Sequence, residues 1–326
     1  MSETTRWAFP ENLQPKQADL RFNLQAALDA AVLLRTEVPE DAFTASTLGT
    51  ERVGNGVVIR ADGLVLTIGY LITEATSIWL ATNAGQVLPA HAVAYDQVTG
   101  FGLVLPLGRL DAPVLARGSA AAAAVRDDVV VIGHGGRAHA LQAELVAKRE
   151  FAGYWEYVLD EALFTAPPHP QWGGAALVDG DGLLLGIGSL LVQDPAALGG
   201  GAQQGNMFVP IDLLDPILDD MLSLGRPRGP ARAWLGMYTA EDGDRIVVAG
   251  LATGGPAELA GVRLGDVVAE VGGERVAGLA ALWRVVWRQG PAGAEVPLGL
   301  LRNGAARQVR VRTADRNDFL KKPPLH

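Results

Sequence analysis

The spacing of apolar residues predicts a helix near the start of the chain and a long run of short strands after it. Over residues 15–36, Leu20, Leu24, Ala27, Ala31 and Leu34 recur at the spacing of one helix face, and Pro39 marks a stop beyond them. From Val53 to Ile72 two apolar runs flank Ala61-Asp62-Gly63, a hairpin pattern. Ser77–Asp96 repeats the device around Asn83-Ala84-Gly85, and Gly100–Leu107 reads as a buried strand. Further strands are expected at Asp128–Gly133, Ala140–Ala147, Tyr157–Phe164, Ala175–Val178 and Leu183–Leu191. Many short strands separated by turn residues point to barrels or sandwiches. Pro195–Gly205 is small and Gly-rich and reads as a surface loop. Pro210–Leu224 reads as a helix with Ile211, Leu214, Ile217, Leu218 and Met221 on one face, and Arg226–Arg232 as a linker. A compact unit follows from Ala233 to about Arg312, and the tail with Pro323-Pro324 is expected to be extended.

Composition narrows the classes. With 49% hydrophobic and 19% charged residues, the chain can bury a sizeable core and is not of the disordered type. The net charge is −9 and no dense Lys/Arg run occurs, which argues against nucleic-acid and anionic-membrane partners. The absence of cysteine removes disulfides, thiol nucleophiles and Cys-ligated zinc. Met1–Phe22 has neither a basic nor an apolar signal region, and Ala27–Arg35 is too short and amphipathic to span a bilayer. No signal peptide or membrane insertion is expected, so with Met1 as the native start the expected location is cytoplasmic. No ligand spacing of the HExxH kind occurs, and neither a metal nor a cofactor is expected.

Five segments, in order, resemble the HtrA/DegP-type trypsin-like serine proteases. They are Gly54–Thr67, Val93–Pro106, Gly173–Ser189, Met207–Leu222 and Gly254–Val276. The first resembles the barrel hairpin that leads to the catalytic His, the second the strand carrying the Asp, and the third the segment that begins at the Ser. The fourth resembles the end of the protease domain and the fifth a PDZ core. The resemblance covers roughly residues 45–313. It implies a mainly β chain, a chymotrypsin/trypsin-like double β-barrel followed by a small α+β PDZ domain. The expected organisation is an N-terminal helical segment (1–44), the barrel domain (45–225), a linker (226–232), the PDZ domain (233–313) and a tail (314–326).

The chemistry of that family needs a Ser nucleophile, a His base and an Asp that orients the base. None stands at the matching positions. Leu66-Thr67-Ile68-Gly69 is followed by Tyr70 where the resemblance places His, and a phenol of pKa near 10 is a poor base at neutral pH. Thr99 is followed by Gly100 where Asp is expected, and Gln171-Trp172-Gly173-Gly174 puts Gly173 at the Ser position. Shifting the alignment by one residue puts Trp172 there instead, and neither is a nucleophile. Of the five histidines (His91, His134, His139, His169 and His326), only His169 lies near this segment. It is read either as a turn residue between Pro168 and Pro170 or as a ligand-contacting or acid–base group.

Two regions remain as candidate binding elements. The altered loop with His169, Gln171, Trp172 and Gly174 either plugs the old cavity with Trp172 or covers a new pocket. Trp234-Leu235-Gly236-Met237 matches the PDZ loop whose amides receive a peptide's terminal carboxylate, with Leu282 and Val286 of a helix at Leu279–Trp287 as candidate pocket walls. The alternative is a PDZ fold used only for packing, with its groove closed. The aromatic run Phe151–Asp160 is read either as core or as a partner surface. The tail ending in Leu325-His326 is read either as mobile or as docking in a groove. The leading expectation is a catalytically inactive HtrA-like protein that binds protein or peptide C-termini and possesses no nucleic-acid partner, with a homo-oligomer, such as a trimer, as an open option. An active endopeptidase with a rearranged site and a purely oligomerising scaffold are the alternatives.

Overall fold

The computed structural model describes residues 7–197 and 203–321. The chain divides into two compact units. Of the described residues, the first comprises those within 7–149, 161–228 and 321, and the second residues 150–160 and 229–320.

The first unit holds two closed six-stranded barrels. Barrel one consists of β1 (Ala31–Glu37), β2 (Glu51–Val58), β3 (Val65–Ile68), β4 (Ser77–Ala81), β5 (Val87–Tyr95) and β6 (Phe101–Pro106), in the order β1-β2-β3-β6-β5-β4. Barrel two consists of β7 (Asp128–Ile132), β8 (Ala140–Gly153), β9 (Tyr157–Ala166), β10 (Ala176–Val178), β11 (Leu184–Gln193) and β12 (Gln204–Pro210), in the order β10-β11-β12-β9-β8-β7. Helices α1 (Leu24–Asp29), α2 (Ala45–Leu48) and α3 (Asp215–Leu224) flank these strands in sequence. The expected hairpins form. Val57 pairs with Leu66 across the Ala61–Gly63 turn, where Gly63 takes φ +87°, a value that favours glycine. Closing each sheet on itself pairs every edge and leaves an interior filled by side chains such as Val32, Leu34, Leu66, Leu80 and Leu103, all fully buried.

The helix expected over residues 15–36 is not what the chain forms. A 3₁₀ turn (Gln17–Asp19) and α1 take the first part, and Ala31–Glu37 is a strand of barrel one. Asn23 caps α1 through its side chain, which accepts from Ala26 N–H. Beyond Ala30 the pattern alternates, with Val32, Leu34 and Thr36 inward and Arg35 and Glu37 outward. Pairing with β2 on one side and β4 on the other satisfies the backbone groups that a helix would have satisfied locally. The expected boundary at residue 45 therefore cuts through the first barrel and is corrected to before Ala31.

The second unit is a sheet of β13 (Met237–Asp242), β14 (Arg245–Leu251), β15 (Val267–Val271), β17 (Glu295–Arg302) and β18 (Ala305–Arg312), in that order. The short strand β16 (Glu274–Arg275) pairs with β15. Helices α4 (Pro256–Leu259) and α5 (Leu279–Arg288) complete it. Its core gathers Leu235, Met237, Val268, Leu282, Trp283, Val286, Val296 and Leu298, and it includes Val158 from the segment 150–160. By strand content the chain is mainly β. Among the described residues no helix is long and apolar enough to cross a membrane. Part of the Gly-rich stretch at residues 195–205, and the Pro-Pro tail with His326, lie outside the described residues.

Candidate functional site

Tyr70 sits in a single 3₁₀ turn (Gly69–Leu71) directly after β3. Its backbone is held by Arg52, whose guanidinium donates to the Tyr70 carbonyl at 2.7 Å and to the Thr73 carbonyl at 2.9 Å. The Tyr70 hydroxyl donates to the carbonyl of Ser189 at 3.0 Å. Burial pushes its pKa above the ordinary phenol value, with a smaller opposing effect of the Trp172 side chain, so the group is a neutral O–H donor at any ordinary pH.

Gly173 lies against this hydroxyl. A Cβ on Gly173 would stand 2.8 Å from Tyr70 Oη, so the phenol occupies the space into which a side chain at 173 would project. The Gly173 carbonyl accepts from Asn55 N at 2.8 Å and from Asn55 Nδ2 at 3.2 Å. Gly174 takes φ +75°, and a Cβ there would fall 1.8 Å from the Asn55 carbonyl oxygen, so only glycine lets the two segments approach this closely. Gly100 is tied to Gly69, the residue before Tyr70. Its carbonyl accepts from Gly69 N–H at 2.7 Å, and its own N–H donates to the Asp96 carbonyl at 2.8 Å. The Asp96 carboxylate, the nearest acid in sequence, is spent on the turn. It accepts from Thr99 N at 2.8 Å and Thr99 Oγ1 at 2.7 Å. Gly173 thus lies against the Tyr70 side chain, and Gly100 is bonded to Gly69, the residue before Tyr70.

Beside them is a cavity of about 470 Å³, bordered by Val53, Gly54, Leu71, Pro170 and Trp172 as well as Tyr70. The choice between an open and a plugged cleft therefore resolves into both. The place of a side chain at 173 is filled by Tyr70, not by Trp172, and space persists next to Trp172.

His169, read as a turn residue or as a ligand-contacting or acid–base group, lies in the interior. It is fully buried, and every polar atom of it is engaged. Its N–H donates to Asn206 Oδ1 at 2.6 Å, and its carbonyl accepts from Asn206 Nδ2 at 3.2 Å. Its Nε2 pairs with the His139 carbonyl at 2.7 Å and its Nδ1 with Gln171 N–H at 3.1 Å. A carbonyl can only accept and an amide N–H can only donate, which fixes the neutral tautomer with hydrogen on Nε2. Phe9 and Trp7 flank the ring edge-on at 5.1 and 5.7 Å. Burial pulls its pKa down to about 4, so it is neutral at pH 7. With both ring nitrogens committed, His169 is a brace for the loop. It also accepts from the Gln171 amide, two residues before Gly173; in serine proteases the residue two before the nucleophile supplies one of the two oxyanion donors.

The candidate carboxylate loop of the second unit has the expected shape, and it is occupied. The N–H groups of Leu235, Gly236 and Met237 converge on one carboxylate, that of Glu156. The distances are 3.1 and 2.9 Å from Leu235, 2.7 Å from Gly236 and 3.1 Å from Met237. Burial pushes the Glu156 carboxyl up to about 7 against the opposing pull of those amides and of Arg316. Leu282 and Val286, expected as walls of an open pocket, are fully buried in the same core as Val158. Trp234 is buried with its ring 4.8 Å from that of Phe319. The aromatic run splits between the two readings, with Tyr157 buried and Tyr154 about half exposed (52%). The sequence does not single out Glu156, because charged residues in a turn ordinarily face water. Its one mark in the sequence is its place as a lone acid among Tyr154, Trp155 and Tyr157; in the structure it adopts φ +64°.

Gly236 makes the loop possible. It takes φ +74°, and a Cβ there would press on Ala252 Cβ and the Trp234 ring at 3.2 Å. Gly236→Ala is expected to destabilise the second unit by about 1–2 kcal/mol, the usual cost of the left-handed conformation. Urea denaturation followed by Trp fluorescence checks this, and an unchanged midpoint contradicts it.

Comparison with known proteins agrees with this layout. Residues 54–187 match the trypsin-like peptidase domain family, and residues 233–313 match the PDZ domain family. A probable periplasmic serine endoprotease, DegP-like, of Halomonas elongata is 27% identical over 282 residues, covering 82% of this chain and 58% of that protein. The chain thus spans little more than half the length of that relative. The serine endoprotease DegS of Haemophilus influenzae is 25% identical, covering 81% of this chain and 77% of DegS. The solved structure of the HtrA-type protease AlgW with tripeptide has the same fold, with a TM-score of 0.52 at 21% identity over 95% of this chain and 99% of AlgW. The chain carries a trypsin-like peptidase domain followed by a PDZ domain, and over about four-fifths of its length it is similar in sequence to the serine endoproteases DegP-like and DegS.

Proposed function

We propose that this chain is a catalytically silent HtrA homologue that binds peptide or protein segments and does not cleave them. The observation that carries the reading is the Tyr70 hydroxyl, which fills the space of a side chain at Gly173 and donates to the Ser189 carbonyl. Acyl transfer needs a nucleophile next to a base, and this arrangement offers a phenol of raised pKa beside a glycine. The histidine nearest in sequence, His169, has no free ring nitrogen, and Ser119 donates to Asp212 at 2.6 Å. The named relatives are endoproteases, so ancestry favours proteolysis while the residues at the site oppose it.

Binding is assigned to the PDZ unit and to the cavity beside Trp172. The test is incubation of the purified protein with unfolded β-casein, read by mass spectrometry for fragments and by sedimentation for retained complex. The expected result is intact casein with part of it held by the protein. Fragments that accumulate in proportion to protein concentration overturn the reading.

A further inference from the structure

The segment Glu150–Asp160, the tip of the β8–β9 hairpin, belongs to the second unit and is bound there as a peptide would be. A C-terminal peptide is recognised by amides that grip its terminal carboxylate and by main-chain bonds that add it to a sheet edge. The hairpin supplies a stand-in for each. The Glu156 carboxylate is gripped by three successive amides, Leu235 to Met237. The Tyr154 carbonyl accepts from Thr239 N–H at 3.0 Å, on β13, the first strand of the sheet order and thus an edge. Val158 supplies the apolar anchor, buried with Leu235, Met237, Leu282 and Val286. Trp283 of α5 donates from Nε1 to the Gly153 carbonyl at 3.0 Å, fixing the segment on its helix side.

The flanking charges agree with a seated ligand but contribute little to holding it. Arg284 pairs with Glu150 and Asp160, all at least 43% exposed. The buried contacts are the ones that discriminate. Three amides aimed at one point are costly to leave unpaired in an apolar surround, so the loop is closed either by Glu156 or by another carboxylate.

We infer that the hairpin is an internal ligand of the PDZ unit, Glu156 acting as a substitute C-terminus, so that a free peptide carboxylate enters only in exchange for Glu156. This rests on the peptide-binding reading above and adds its regulation. Apparent affinity for an external peptide is then the intrinsic affinity reduced by the fraction of molecules with the hairpin released.

The test uses the full chain as wild type, Glu156→Ala and Glu156→Gln, with folding of each checked by circular dichroism. The probes are a fluorescent pool of decapeptides ending in Val, Ile or Leu with a free carboxylate and the same pool amidated. Glu156→Ala is expected to bind the carboxylate pool at least tenfold more tightly than wild type and to ignore the amidated pool. Glu156→Gln, which retains the shape of the side chain, is expected to fall between them and serves if Glu156→Ala does not fold. In wild type saturated with the carboxylate pool, hydrogen exchange at residues 151–159 is expected to speed up while Leu235–Met237 stay protected. Equal binding by wild type and variants, with the hairpin's exchange unchanged, overturns the inference and leaves peptide binding standing. Failure of every protein to bind either pool overturns the peptide-binding reading and the inference with it.

Discussion

Replacing Gly173 by serine is expected to yield no protease. The variant Gly173→Ser should cleave casein no faster than its parent, and it should be less stable by about 1–3 kcal/mol, the usual cost of forcing atoms into a filled interior. The stability loss follows from distance, because the new Cβ would lie 2.8 Å from Tyr70 Oη. The lack of activity follows from what the serine would face. Its neighbour would be a neutral phenol held to the Ser189 carbonyl, not a base, and loss of the base alone costs on the order of a million-fold in kcat in a serine protease. Restoring all three residues (Tyr70→His, Gly100→Asp and Gly173→Ser) is also expected to fall far short of a working enzyme. The Gln171 amide would still be bonded to His169 Nδ1, and removing one oxyanion donor costs roughly 10²–10³ in kcat. Gly100 holds φ +87°, a conformation that aspartate adopts at some cost. Turnover of a chromogenic peptide by the triple variant at rates typical of active proteases would contradict this account.

Acid is expected to weaken the first unit through His169. The folded pKa of about 4 lies below the ordinary value of 6.5, so the unfolded chain takes up this proton first as the pH falls. Stability is therefore full above about pH 6.5 and declines toward pH 4. The fall from 6.5 to about 4 corresponds to roughly 3 kcal/mol at the acid end. His134 and His139 act in the same direction, since burial lowers both. Glu156 acts in the opposite direction in the second unit, because a carboxyl raised to about 7 favours the folded state less as pH rises from 4.5 through 7. A comparison with His169→Gln isolates the one group. The variant is expected to be about 1–3 kcal/mol less stable at pH 8, from unpaired partners in a buried site. Its stability is also expected to depend less steeply on pH between 6.5 and 4.5. Urea denaturation at a series of pH values measures both, and parallel pH profiles for the two proteins would rule out the assignment.

The readable part of the fold was the part written in local chemistry. Gly63 at a turn, the alternating strands of both barrels and Gly236 in the carboxylate loop each announce themselves through backbone freedom or period. Tyr70, just after β3, and Gly100 and Gly173, just before β6 and β10, stand out for the same reason, because the strands beside them have a clear pattern. What escaped was set by partners distant in the chain. Residues 31–37 fit a helical apolar spacing as well as a strand's, and the choice is made by β2 and β4, tens of residues away. His169 reads as a turn residue because its partners, Asn206 and His139, are 37 and 30 positions distant. Glu156 and the loop that grips it are 79 to 81 positions apart, so neither element signals the other. The sequence marks a carboxylate loop; only the fold supplies the carboxylate.

The silence of the trypsin-like domain is the claim on which the functional reading depends, and it has a direct measurement. The purified full chain is incubated with a fluorophosphonate and its intact mass is recorded. An activated serine is derivatised stoichiometrically because a base raises its nucleophilicity, whereas an ordinary hydroxyl is not. With Gly173 beside Tyr70 and both nitrogens of His169 engaged, the account predicts an unchanged mass. A stoichiometric single adduct, mapped by peptide sequencing to one serine, would contradict it.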